Sequence, residues 1–225
     1  MEKSTRKKTS SWYRQLHLWK SAIDATLNDA NHLKKAISCG YTKKSLETAL
    51  TWHKQILELD EIKEVAYGRK YAATDNCLQS KNNLHRVYMR HLSLARVVFK
   101  NDRGTLEKLS ANGKRKSALA DWLSDIRKFY NIALSESEIK NIFKNKGIAP
   151  EELEKGVELS NEVELLSQSQ KKLTEDAVTA TYNRDEKINT LRSWYTEFNA
   201  TTKIVGKDFA PIVSIESKIN KAIQN

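Results

Sequence analysis

The chain is poor in residues that bend a backbone, with 7 Gly and 2 Pro among 225 residues. Turn-rich β architectures need those residues at many positions, so their scarcity favours long helices. Cysteine is scarce too. Cys39 and Cys77 are too few for a disulfide framework and fit a reducing compartment, so free thiols are expected. No run of about 18 apolar residues occurs, which excludes a transmembrane helix from the expectation. The opening stretch MEKSTRKKTSS is basic and polar with no apolar core behind it, unlike a secretory signal. A cytoplasmic protein is expected.

Motifs that carry chemistry are absent as well. The sequence holds no Gly-rich phosphate loop, no Gly-x-Ser-x-Gly and no Cys/His pair poised for nucleophilic attack. His17, His32, His53, His85 and His91 never fall at i, i+4 spacing, and no Glu-x-x-His occurs, which argues against a di-metal carboxylate bundle. The expectation is a non-enzyme with no catalytic residue, no metal ligand and no cofactor.

What the chain does have is charge on a helical pattern. Hydrophobic residues make up 39 %, enough to bury one large core or two smaller ones. The net charge is +11, unevenly spread: residues 1–109 hold 21 Lys/Arg against 11 Asp/Glu, and residues 110–225 hold 18 against 17. Such asymmetry points to an acidic partner for the first half, or serves solubility. The surplus culminates in 76–102, where no acid lies between Asp75 and Asp102. Read as a helix, this stretch carries Leu84, Tyr88, Ala95 and Val98 on one face. Lys81, Arg86, Arg90, Arg96 and Lys100 are its cations, with Arg103 just beyond. Those six are the candidate site. A cationic helix face can follow phosphates, because each neutralised phosphate releases counterions. The bland alternative is a solvated face paired with acids of a neighbouring helix, such as Asp60, Glu61 and Glu64. No zinc finger, RNA-recognition signature or clear helix-turn-helix accompanies the stripe, so nucleic-acid binding would be non-specific.

The stripe Trp12, Leu16, Trp19, Ile23, Leu27 steps by four and three and predicts a helix from Ser10 to about Gly40, with a kink near Asn28–Asn31. Thr42 caps a second helix reaching about Ala73, with Gly68 marking a competing break. Asn76 and Gln79 form a capping-box pair for the third, which runs to about Asn101, followed by a turn at 105–109. The cycle then recurs 107 residues on. Ser117 caps a stripe of Leu119, Leu123, Ile126, Tyr130 and Leu134. Pro150-Glu151-Glu152 starts the next helix, and Asn183 and Glu186 repeat the capping pair. Leu27/Leu134, Gly40/Gly147, Leu46/Leu153, Leu84/Leu191 and Tyr88/Tyr195 keep one register without a gap.

The expected fold is therefore all-α: a tandem pair of up-down-up three-helix bundles with an internal repeat of about 107 residues, or both fused into one six-helix bundle. The expected segments are a basic flexible tail at 1–9, a first repeat at 10–109, a linker at 110–116, and a second repeat at 117–225. The second repeat ends in a short helix carrying Ile212, Ile215 and Ile219. Only the first repeat has the cationic stripe; the matching face of the second mixes Arg184, Asp185, Glu186, Lys187, Arg192, Glu197 and Lys203. The five Trp sit on or beside core stripes and are expected to pack there.

This plan of two three-helix repeats resembles that of the phosphate-uptake-regulator family, over most of the chain. The family carries a paired acidic metal motif in each repeat. Asp60-x-x-x-Glu64 is a loose match in the first, but the equivalent residues of the second, Ser167 and Lys171, cannot serve. Metal binding and the regulatory role therefore do not carry over residue by residue. A metal-dependent regulator is the alternative to the main expectation, a helical binding or scaffold protein that shows a cationic face to nucleic acid or an acidic protein.

Overall fold

A computed structural model describes residues 11–205. Among them the protein is all-helical, with α1 (Ser11–Asn28), α2 (Ala30–Ser38), α3 (Lys43–Val98), α4 (Arg103–Lys108), α5 (Leu119–Ser135), α6 (Ser137–Asn145) and α7 (Pro150–Val205). No helix there is long and apolar enough to cross a membrane. The expected tail at 1–9 and the closing helix around Ile212–Ile219 lie outside the described residues.

Local chemistry explains most boundaries. The expected kink near Asn28–Asn31 is a full break. Asp29 adopts an extended conformation, and its carboxylate accepts the N–H groups of Asn31 and His32 at 2.8 and 3.0 Å, capping α2. Gly40 and Gly147 follow α2 and α6 with φ of 89° and 84°, the left-handed conformation that closes a helix. Thr42 caps α3, its hydroxyl accepting the Ser45 N–H at 3.1 Å. Ser117 does not cap α5, which begins at Leu119 after an Ala118 that makes no side-chain cap bond. The turn expected at 105–109 falls largely in α4. Asp102 caps that helix by accepting the Thr105 N–H at 3.0 Å and its hydroxyl at 2.6 Å.

The largest departure concerns the long helices. The expected second and third helices are one, the 56-residue α3, and the same holds for α7. Asn76 and Gln79 are exposed positions inside α3, and Asn183 and Glu186 are exposed positions inside α7, so neither pair caps an end. The physical reason is a balance of costs. A lone Gly68 costs about 1 kcal/mol in a helix interior. A break would strip about eight backbone groups of their intrahelical partners. No proline forces one between Lys43 and Val98.

The chain forms two compact units. One is contiguous, Ala66–Ala177. The other is split, taking the chain up to Val65 and again from Val178 onward. Each unit thus draws residues from both sides of 110–116. The split unit packs Leu16, Trp19 and Ile23 of α1 and Leu46 and Ile56 of α3 against Leu191, Tyr195 and Phe198 of α7. Trp194 stacks on Phe198 with centroids 5.3 Å apart, and Trp12 and Trp52 join this core's edge.

The contiguous unit packs Leu84, Tyr88 and Leu92 of α3 against Ile126, Phe129 and Tyr130 of α5, Phe143 of α6, and Leu153 and Val163 of α7. Its centre is partly polar. The Tyr130 hydroxyl lies 3.1 Å from Nδ1 of His91, which is fully buried. The Tyr130 ring lies flush on the α7 backbone at Gly156, where an added Cβ would come within 2.1 Å of the ring.

Candidate functional site

Within the contiguous unit, α3 positions its cations on two faces. Residues 81, 85, 88, 92 and 96 recur at steps of four and three and share one face. Across that face runs the strap 110–118 that joins α4 to α5, and together they line two adjoining clefts. Arg86, Arg90 and Lys100 project elsewhere and are exposed, as is Arg103 at the start of α4.

Arg96 belongs to the strap's architecture. Its Nε donates to the Ala111 carbonyl at 2.7 Å, and a terminal nitrogen donates to the Gly113 carbonyl at 3.2 Å. Ala111 is buried, and its N–H donates to the Leu106 carbonyl at 2.8 Å. Left-handed conformations at Ser110 and Gly113, with φ of 51° and 79°, fold the strap into this path. Arg90 is likewise occupied, donating to Glu152 in the first turn of α7 at 2.9 Å. Arg86 donates to the neutral Asn83 side chain at 3.0 Å. Lys100 and Arg103 make no ion pair among the described residues. Of the six expected site residues, two are therefore structural and four keep uncompensated charge: Lys81, Arg86, Lys100 and Arg103.

Asp60, Glu61 and Glu64 do not neutralise the stripe, because they lie on the same helix and in the split unit. Asp60 accepts from Arg184 at 2.9 Å and from Lys63 at 3.4 Å, and Glu64 accepts from Lys63 at 2.8 Å. Cations already hold the acidic pair that a metal would need, so these residues do not fit a metal site. Among the described residues no group of three or more His, Cys, Asp or Glu side chains could hold a metal.

The strap contributes cations that helix periodicity could not flag. One cleft, about 380 Å³, is lined by Lys81, Asn82, His85, Arg115, Lys116, Ser117, Leu119 and Trp122, with no carboxylate. The Lys81 amine stands 5.8 Å over the Trp122 ring. The Arg115 guanidinium lies 3.4 and 3.3 Å from the two ring nitrogens of His85 and 2.8 Å from the Met89 sulfur. Lys116 binds Asp125 at 3.1 Å. The signal was present in the run Lys114-Arg115-Lys116, but a basic linker has no face until something holds it down.

The buried polar pair behind α3 is electrically quiet. Burial lowers the pKa of His91, and the neighbouring Arg90 charge lowers it further. Burial holds the Tyr130 phenol well above its usual range. His91 is thus a neutral core residue near neutral pH, bonded to a neutral phenol. His53 is also buried, with its pKa lowered first by burial and then by His17, and its Nε2 has no partner among the described residues. Both Cys39 and Cys77 are free thiols.

The chain matches no protein-family model, no curated protein and no solved structure.

Proposed function

We propose that this is a non-enzymatic, cytoplasmic binding protein that presents a cationic surface of its contiguous unit to a polyanionic partner. The partner is a nucleic-acid backbone contacted without regard to sequence, or an acidic protein face. One observation carries the reading: Lys81, Arg86, Lys100 and Arg103 have no carboxylate partner among the described residues, and the strap adds Arg115 to them. Surface cations left uncompensated on one compact unit are what counterion release requires.

The finer architecture belongs to the same proposal. The two halves of the chain derive from one duplicated element of about 107 residues, built as a tandem pair of three-helix repeats. In its support, Ala30–Ser38 and Ser137–Asn145 are 107 residues apart at both ends, as are Lys43–Val98 and Pro150–Val205. After duplication only the first copy carried the stripe.

The test is equilibrium binding of a labelled mixed-sequence DNA duplex and an RNA, titrated across salt. Wild-type affinity should fall steeply with salt. Arg86→Glu, Lys100→Glu and Arg103→Glu together should weaken binding at least tenfold at low salt and reduce the salt slope by about three. Arg90 and Arg96 are left intact because their loss would disturb the fold. Salt-insensitive binding, or none at low salt, removes nucleic acid as the partner. An affinity unmoved by the triple reversal sinks the surface itself.

A further inference from the structure

The geometry points to the cleft between α3 and the strap as a binding site for a phosphoryl group carried by a compact phosphorylated molecule. This rests on the cationic-surface reading and narrows it to one ligand chemistry.

Two cations in this cleft are held in place by groups that bring no negative charge. Lys81 is held over the face of Trp122, which is buried. Arg115 lies across the His85 ring and against the Met89 sulfur. Exposed cations that need only solvation do not require such seats, and cations with a structural task usually find a carboxylate. Here the lining offers none, since the nearby Asp125 is taken up by Lys116. A third cation, a hydroxyl at Ser117 and an imidazole at His85 complete a set made of donors and cations.

The charge excess favours a dianion over a monoanion. A phosphoryl group brings close to two negative charges and three acceptor oxygens, and a guanidinium matches two of those oxygens at once. Trp122 and the strap shield the cleft from solvent on one side, which strengthens each charged contact. The volume of about 380 Å³ exceeds the needs of a single phosphoryl group and falls in the range of small-molecule sites. The occupant therefore carries a second phosphate or a small organic body. Two sources share this chemistry: a free phosphorylated metabolite and the terminal phosphate of a nucleic-acid strand.

The experiment is titration calorimetry of the full chain with pyrophosphate and with adenosine monophosphate, beside duplex binding with 5′-phosphate or 5′-hydroxyl ends. The cleft variant is Lys81→Gln with Arg115→Gln; the control is Arg86→Gln with Lys100→Gln and Arg103→Gln. Pyrophosphate should bind the wild type and the control alike, and the cleft variant at least tenfold more weakly. A 5′-phosphate that tightens duplex binding only while the cleft is intact identifies the strand terminus as the source; duplexes that bind alike identify the small molecule. No heat with pyrophosphate or the monophosphate, with no preference for the phosphorylated duplex, overturns the inference. Loss of affinity in the control rather than in the cleft variant overturns it too. Salt-dependent duplex binding that the control set alone abolishes leaves the broad surface standing while the cleft fails. Pyrophosphate binding lost only in the cleft variant, with no duplex binding at all, does the reverse.

Discussion

Gly156 and Tyr130 are a matched pair, and the match extends to His91. The ring needs the space that a Cβ at 156 would fill, and the phenol needs the imidazole that it meets in the core. Gly156→Ala should destabilise the protein by about 3 kcal/mol or more, above the usual cost of one added methyl, because a rigid buried ring cannot withdraw. Denaturant unfolding measures this directly. The residues 107 positions away solve the same packing problem differently: Ala49, Ile23 and Phe198 are all buried in the split unit's core. Moving that solution across, as Gly156→Ala with Tyr130→Ile and His91→Phe, should recover at least half of the loss. Purely additive losses would refute the pairing. Sequence reading reached His91 as a core histidine with a hydrogen-bond partner. It could not separate Arg90 and Arg96 from Arg86 and Lys100, because their partners are Glu152 and two strap carbonyls that only the folded chain brings near.

At the scale of elements, the signals that held were those with a short physical reach. Thr42, Gly40 and Gly147 act on one turn, and each ends or starts a helix where its chemistry says it should. Asn76 and Gln79 have the same local pattern as a capping pair, yet the helix runs through them. A capping motif stabilises a terminus that exists; it does not create one against an intact ladder of backbone bonds. Gly68 is therefore a weak point in a continuous helix. It is exposed, and a Cβ there would meet nothing within 4 Å. Gly68→Ala should stabilise the protein by about 1 kcal/mol, read as a higher unfolding free energy. A loss of stability would mean that the backbone at this position is not helical in solution. The strap was legible as a basic linker and nothing more, since its path depends on Arg96 and on two left-handed residues.

At the scale of the whole molecule, periodicity showed which faces are apolar but not which partner covers them. Two halves in one register suggest two self-contained repeats. Instead, Leu16, Trp19 and Ile23 are covered in part by Leu191, Tyr195 and Phe198, from the far end of the described chain. Each half thus leaves a core unfinished. Fragments 1–113 and 114–225, divided in the exposed strap, should each lack a cooperative unfolding transition. Mixed together they should form a one-to-one complex that unfolds cooperatively, and calorimetry with light scattering tests this. Cooperative folding of either fragment alone would contradict the shared cores. The same exchange imposes an order on birth. The contiguous unit is complete once Ala177 has left the ribosome, whereas the first helix to emerge must wait for Phe198. At about 5–20 residues per second that wait is on the order of ten seconds or more. For that interval the oldest part of the nascent chain carries a bare apolar stripe, and chaperones and proteases have their best access to it just before synthesis ends.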